Sequence, residues 1–143
     1  FKSIIKSKSQ KNYEENLRDK ARDIMDELNI LHMEDSYARE LSGGQKKLLE
    51  LARSIINEPE ILLLDEPLAG VNPKLAEDIL SLIKKLSNKG ITILMVEHNI
   101  EAVMKISDRI VVLAEGSLIA DGNPNDIRTD KNVIEAYLGK DND

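Results

Sequence analysis

Ile61-Leu62-Leu63-Leu64-Asp65-Glu66-Pro67 sets four aliphatic residues directly against two carboxylates and a proline. Bounded by Pro59 and Pro67, the run is too short for a helix and reads as a buried strand that delivers Asp65 and Glu66 at its C-terminal end. In a parallel sheet that edge is where ligands sit. Adjacent strand residues point to opposite faces, so the two carboxylates divide roles only because the chain turns at Pro67. Asp65 suits Mg²⁺, a hard cation that takes carboxylate oxygen and keeps several waters, and Glu66 suits acceptance of a proton from an attacking water. A strand ending in acidic residues is also commonplace, and these two residues alone are more readily read as ordinary structure.

Working outward, the chain alternates helices and strands. Before the strand, Leu17, Ala21, Ile24, Met25 and Leu28 recur at three- and four-residue steps and predict an amphipathic helix over about 12–28. After a polar linker, Ser42 is a good N-cap for a second helix bearing Leu48, Leu49, Leu51, Ala52, Ile55 and Ile56. Beyond the strand, Asn72-Pro73 is a helix start, with Asn as cap and Pro at the first helical position. Leu75, Ile79, Leu82, Ile83 and Leu86 form that helix's apolar face as far as Gly90. Ile91 to Val96 predicts a second aliphatic strand, 99–107 a short helix, Ile110–Leu113 with Leu118–Ala120 a hairpin, and about 132–138 a last helix. The expected fold is α/β, a mainly parallel sheet flanked by helices, closed by the hairpin and final helix.

Composition sets the limits. At 143 residues and 41% hydrophobic content the chain can bury a core, and with one Phe, three Tyr and no Trp that core is aliphatic. A net charge of -6 argues against a sequence-independent grip on nucleic acid, which needs a basic stripe. The one basic cluster, lysines 2, 6, 8 and 11, reads as a solvated helix face. Without cysteine, neither disulfides nor a thiolate metal site carries the fold, and a cytoplasmic location fits. No apolar run approaches the ~20 residues that span a bilayer. A start at Phe1 with no apolar leader predicts a chain cut from something longer.

Two more features bear on chemistry. Leu41-Ser42-Gly43-Gly44-Gln45 puts a serine and two glycines at a helix start, where backbone N–H groups can approach an anion and the helix dipole favours negative charge. The same residues also read as a simple N-cap and turn. His98 follows the strand Ile91 to Val96, beside Glu97; a histidine there can hydrogen-bond a γ-phosphate, and a lone histidine is usually a structural or solvated residue.

Together these features resemble the ATP-binding cassette family over essentially the whole chain. Leu41 to Gln45 is similar to its signature motif, Ile61 to Glu66 to its Walker B motif, Leu68 to Asn72 to its D-loop and His98 to its switch histidine. The resemblance implies that Asp65 contributes to Mg²⁺ binding, Glu66 polarises the lytic water and His98 contacts the γ-phosphate of ATP. It implies that Ser42, Gly43, Gly44 and Gln45 contact ATP held by a second ATPase subunit, in a homo- or heterodimer that sandwiches two nucleotides. Residues 1–40 would then be the end of a helical subdomain facing transmembrane permease subunits, and 41–143 the C-terminal part of the cassette core. The protein would sit in the cytoplasm, peripheral on the inner face of the membrane.

Two departures stand out. Asn72 occupies the place where the D-loop usually has Asp. The glycines, at 43, 44, 70, 90, 116, 122 and 139, nowhere form G-x-x-x-x-G-K-[ST], so these residues lack the cradle and lysine that hold β- and γ-phosphates. Phosphoryl transfer is catalysed mainly by positioning and charge stabilisation, so the chain alone is expected to be inactive.

The form Ala69-Gly70-Val71-Asn72-Pro73 and the tail Glu97-His98-Asn99, Asp121-Gly122-Asn123-Pro124 and Val133 to Gly139 resemble the ATPase subunits of branched-chain amino-acid uptake systems, in which a solute-binding protein takes part indirectly. Lipopolysaccharide-export ATPases end similarly. Family members that clamp nucleic acid or the ribosome carry long heptad arms or two fused cassettes, and neither occurs here, so transport is the expectation.

Overall fold

A computed structural model describes residues 8–138, and the chain divides into two compact units between Met95 and Val96. The lysines at 2 and 6 and the tail glycine Gly139 lie outside the described residues.

The first unit opens with α1 (Lys8–Glu27). Within the helix Ile24 and Met25 are half-buried and Leu17 is 43% exposed, and full burial is reached just past its end, at Leu28 and Ile30. Asn29, at φ +56°, turns the chain out of the helix while the Ile30 N–H reaches back to the Met25 carbonyl at 2.8 Å, a closure that needs one left-handed residue and for which Asn is second only to Gly. Two short 3₁₀ turns, Leu31–Met33 and Ala38–Glu40, occupy the stretch expected to be a linker.

Helix α2 (Gly43–Ile55) buries Leu48, Leu51, Ala52 and Ile55 along one stripe, spaced as a 3.6-residue period requires. Strand β1 (Ile61–Asp65) leads to α3 (Pro73–Asn88), which buries Ile79, Leu80, Leu82, Ile83 and Leu86 and returns the chain to β2 (Thr92–Val96). Strands β1 and β2 pair in parallel, with α3 as the crossover. Gly90, at φ +96°, ends α3 by the same device as Asn29, with the Ile91 N–H bonded to the Leu86 carbonyl at 3.2 Å.

The expectation of fully buried strands needs correction. Leu62 is 4% exposed, but Ile61 and Leu63 on the opposite face of β1 are 62% and 70% exposed, and Leu94 and Val96 on β2 are similarly open. A strand alternates faces, and among the described residues only one face of this sheet is covered. The uninterrupted aliphatic run, read as burial on both faces, overstates what these residues bury.

At the head of α3 the Asn72 side-chain oxygen accepts the Leu75 N–H at 2.9 Å, with Pro73 at the first helical position. Asn72→Ala removes that cap and should cost about 1 kcal/mol, read as a lowered urea midpoint of the 143-residue chain.

The second unit holds α4 (Ile100–Ile106), the antiparallel hairpin β3 (Ile110–Ala114) and β4 (Ser117–Gly122), and α5 (Pro124–Thr129). The two turn residues Glu115 and Gly116 both have positive φ, +48° and +76°, which matches the right-handed twist of the paired strands. Arg109 donates to both carboxylate oxygens of Asp121 at 2.8 and 2.6 Å, and these bonds hold that carboxyl below its ordinary pKa. Ile110, Ile127 and Val133 form the core of this unit, with Val103, Met104, Val112 and Ala120 packed against it.

Two features of this unit differ from expectation. Helix α5 is additional; its start, Asn123-Pro124, repeats the Asn-Pro signal of α3, and the Asn123 oxygen caps it through the N–H groups of Asn125 and Asp126. The last helix begins one residue early as α6 (Lys131–Val133), capped by Asp130, and runs into a π-turn over Ile134–Leu138.

Candidate functional site

The first unit brings the Ser-Gly-Gly helix start, the Asp-Glu strand end and the Asn72 turn together. Ser42 is the N-cap of α2: its Oγ accepts the Gln45 N–H at 3.3 Å while its own N–H donates to Gln45 Oε1 at 2.7 Å. This reciprocal box fixes the helix start and engages Gln45. It leaves the N–H groups of Gly43 and Gly44 at a positive helix end, with the Ser42 hydroxyl proton still available to donate. The reading of the pentapeptide as an N-cap is what these bonds display, and the cap itself does not occupy the N–H groups of the two glycines.

The two glycines do different work. A Cβ at Gly43 would meet nothing within 4 Å, so the absence of a side chain there serves outward access. A Cβ at Gly44 would run into the Leu75 side chain in the first turn of α3, so this glycine admits a neighbour. The start of α2 is therefore seated against the start of α3.

Asp65 and Glu66 are both exposed where β1 ends. Glu66 has φ +44°, a left-handed backbone that costs a residue with a Cβ about 1 kcal/mol and is seldom adopted before proline. Its carbonyl accepts the Ala69 N–H at 3.1 Å, closing a turn over the buried Pro67 and Leu68. The expected turn at Pro67 is present, and it begins at the glutamate itself. The same carbonyl accepts the Lys47 ammonium at 3.3 Å. A cavity of about 200 Å³ opens beside Asp65, with Lys47 and Glu50 among its polar walls and Leu51, Leu64 and Ile79 among its apolar ones.

Among the described residues no group of three or more acidic, histidine or cysteine side chains could hold a metal by itself. The donor set fits Mg²⁺, which is commonly held by one or two carboxylates together with substrate phosphate and water, with Asp65 as the carboxylate. Asn72 is committed to capping α3.

His98 belongs to the second unit. Its ring is 73% exposed, and Nδ1 lies 3.7 Å from an oxygen of Glu97, whose own side chain is 1% exposed. Asn99 follows and caps α4 by accepting the Ala102 N–H at 3.0 Å, which fixes the direction of the chain after the histidine. The burial of Glu97 and the contact made by Lys47 have no sequence signal: the first depends on packing, the second joins residues nineteen positions apart.

Comparison with known proteins gives consistent matches. Residues 2–69 match the family model described as ABC transporter, and residues 117–143 match that of the branched-chain amino acid ATP-binding cassette transporter. The branched-chain amino acid transport ATP-binding protein LivG of Archaeoglobus fulgidus is 44% identical over 88% of this chain and 49% of its own length. BraF, a high-affinity branched-chain amino acid transport ATP-binding protein of Pseudomonas aeruginosa, is 45% identical over 81% of the chain and 46% of its length. The lipopolysaccharide export ATP-binding protein LptB of Escherichia coli is 38% identical over 89% and 53%. Among solved structures, the ADP conformation of MJ1267, an ATP-binding cassette of an ABC transporter, superposes with a TM-score of 0.77 at 36% identity, covering 98% of this chain and 54% of that one. The chain spans about half the length of the curated relatives it matches.

Proposed function

The chain belongs to the ATP-binding cassette family of transporter ATPases, and on that premise we propose that it is part of a subunit whose ATP hydrolysis drives branched-chain amino-acid import. The observation that carries the substrate class is the match of residues 117–143 to the C-terminal model of cassettes for those solutes.

The proposed mechanism assigns each residue one task. The start of α2, with the Gly43 and Gly44 N–H groups and the Ser42 hydroxyl, takes the γ-phosphate of ATP held by a second cassette, since a positive helix end with open backbone donors suits an anion. Asp65 holds Mg²⁺, which supplies charge neutralisation at the phosphates when bound. Glu66 accepts a proton from the water that attacks the γ-phosphate. His98 hydrogen-bonds that phosphate, and the turn ending at Asn72 conveys the state of one site to the other. Hydrolysis reopens the pair of cassettes and moves the permease subunits, which choose the solute together with a solute-binding protein. No described helix is long and apolar enough to cross a membrane, and the reading places the subunit on the cytoplasmic face against its permease.

Because these 143 residues hold no G-x-x-x-x-G-K-[ST] sequence, the chain alone is proposed to be catalytically silent. The test of the transport reading is uptake of labelled leucine by cells whose own branched-chain import ATPase genes have been deleted, given the full-length subunit with its permease partners. Restored uptake that competes with isoleucine and valine is the expected result. Absent uptake, with rescue instead of a strain depleted of its lipopolysaccharide-export ATPase, would assign the subunit to export.

A further inference from the structure

The Walker B-like strand end, the D-loop-like turn and helix α2 meet at a single backbone oxygen. Lys47 is the fifth residue of α2, and its half-buried stem carries the ammonium to the Glu66 carbonyl, which also closes the turn onto Ala69. Among the described residues four non-glycine residues have positive φ, and two of them, Glu58 and Glu66, precede a proline. A proline disfavours helical backbone in the residue before it, so the conformation of Glu66 is not one the local sequence selects. Its carbonyl is engaged twice, by the Ala69 N–H that closes the turn and by the lysine. Holding the carbonyl orients the Glu66–Pro67 peptide plane, which restrains rotation about the Glu66 Cα–C bond and so the direction in which the side chain leaves the backbone.

We propose that Lys47 is a positioning residue for Glu66, aiming its carboxylate and making hydrolysis at one nucleotide site depend on the placement of the α2 helix that serves the other. The inference rests on the reading of Glu66 as the group that polarises the lytic water. One contact ties α2 to the catalytic edge, Lys47 to the Glu66 carbonyl, and the approach of Gly44 to Leu75 seats the start of α2 on α3. A shift of α2 that accompanies the arrival of an anion at its N-terminus therefore reaches Glu66 through a side chain within the same subunit. The Lys47 contact is long at 3.3 Å and solvent-accessible, so it contributes little to stability. Aim matters far more, because misplacing a catalytic group by ~1 Å is enough to cost about a hundredfold in rate.

The test is steady-state ATP hydrolysis by the full-length subunit assembled with its permease, comparing Lys47→Met, Lys47→Arg and Glu66→Gln. Lys47→Met should lower kcat roughly ten- to a hundredfold with KM for ATP and the urea midpoint unchanged. Lys47→Arg should recover most of the loss, since a guanidinium also donates to a carbonyl. Wild-type kcat in Lys47→Met beside an inactive Glu66→Gln would overturn the positioning role and leave the reading of Glu66 standing. A loss of kcat that comes with a lowered urea midpoint and is not recovered by arginine would make Lys47 structural, and would overturn it too. Undiminished turnover in Glu66→Gln would remove the reading on which the proposal depends.

Discussion

Glu66→Gln in the full-length subunit should cut ATP turnover by about 10²- to 10⁴-fold while leaving the affinity for ATP within about twofold of the wild type. The amide keeps the size and the backbone placement of the side chain but cannot take a proton from water. The left-handed turn at Glu66 and the hydrogen bonds to its carbonyl involve only main-chain atoms of that residue, so the substitution leaves them intact. Nothing in the helix start at Ser42, Gly43 and Gly44 is altered. ATP affinity by calorimetry and turnover by phosphate release should therefore separate cleanly, and equal losses in both would show that Glu66 contributes to binding instead of to the chemical step.

The largest effect on stability is expected at Ile79. This side chain, 1% exposed, lies in the stripe of α3 that also buries Leu80, Leu82, Ile83 and Leu86. Ile79→Ala deletes methyl and methylene groups where the surroundings relax only partly, and should cost about 2–5 kcal/mol. Ile79 also walls the cavity beside Asp65, so its loss enlarges that space. Leu63→Ala is the matching control. At 70% exposure in the 143-residue chain it should change stability by less than about 0.5 kcal/mol, although sequence alone makes Leu63 look like core. Urea denaturation of the two variants decides whether the sheet has one covered face, and a comparable loss at both positions would mean that it has two.

Much of the site was legible because it depends on local chemistry. Ser42 and Asn72 announce helix starts through cap residues, and both caps form with the expected partners three residues on. The turn after Asp65 was visible from Pro67, and the hairpin from Glu115-Gly116. The fold class followed from the order of strands and helices, and the parallel β1–β2 pair with its helical crossover bears it out.

What stayed hidden depends on contacts between distant residues. Leu62 and Leu63 are the same residue type side by side, yet one is buried and the other open, because burial is decided by which face a neighbour covers. Gly44 reads from sequence as a second donor at the helix start, and only the proximity of the Leu75 side chain shows that a Cβ there would force that neighbour to shift. Helix α5 was missed although Asn123-Pro124 carries the same signal as Asn72-Pro73; its six residues show too little apolar periodicity to stand out. Lys47 was invisible for a simpler reason. A lysine on a helix reads as solvated, and its reach to Glu66 exists only once β1 is folded beside α2.

The most direct test of the account is to measure ATP hydrolysis by the 143-residue chain and by the full-length subunit side by side under identical conditions. Turnover is expected in the full-length subunit, abolished there by Glu66→Gln, and none in the chain alone, which has the glutamate and the helix start but no phosphate cradle. Turnover by the chain alone that Glu66→Gln removes would contradict this, since these residues would then bind and position ATP without the cradle that the assignment requires.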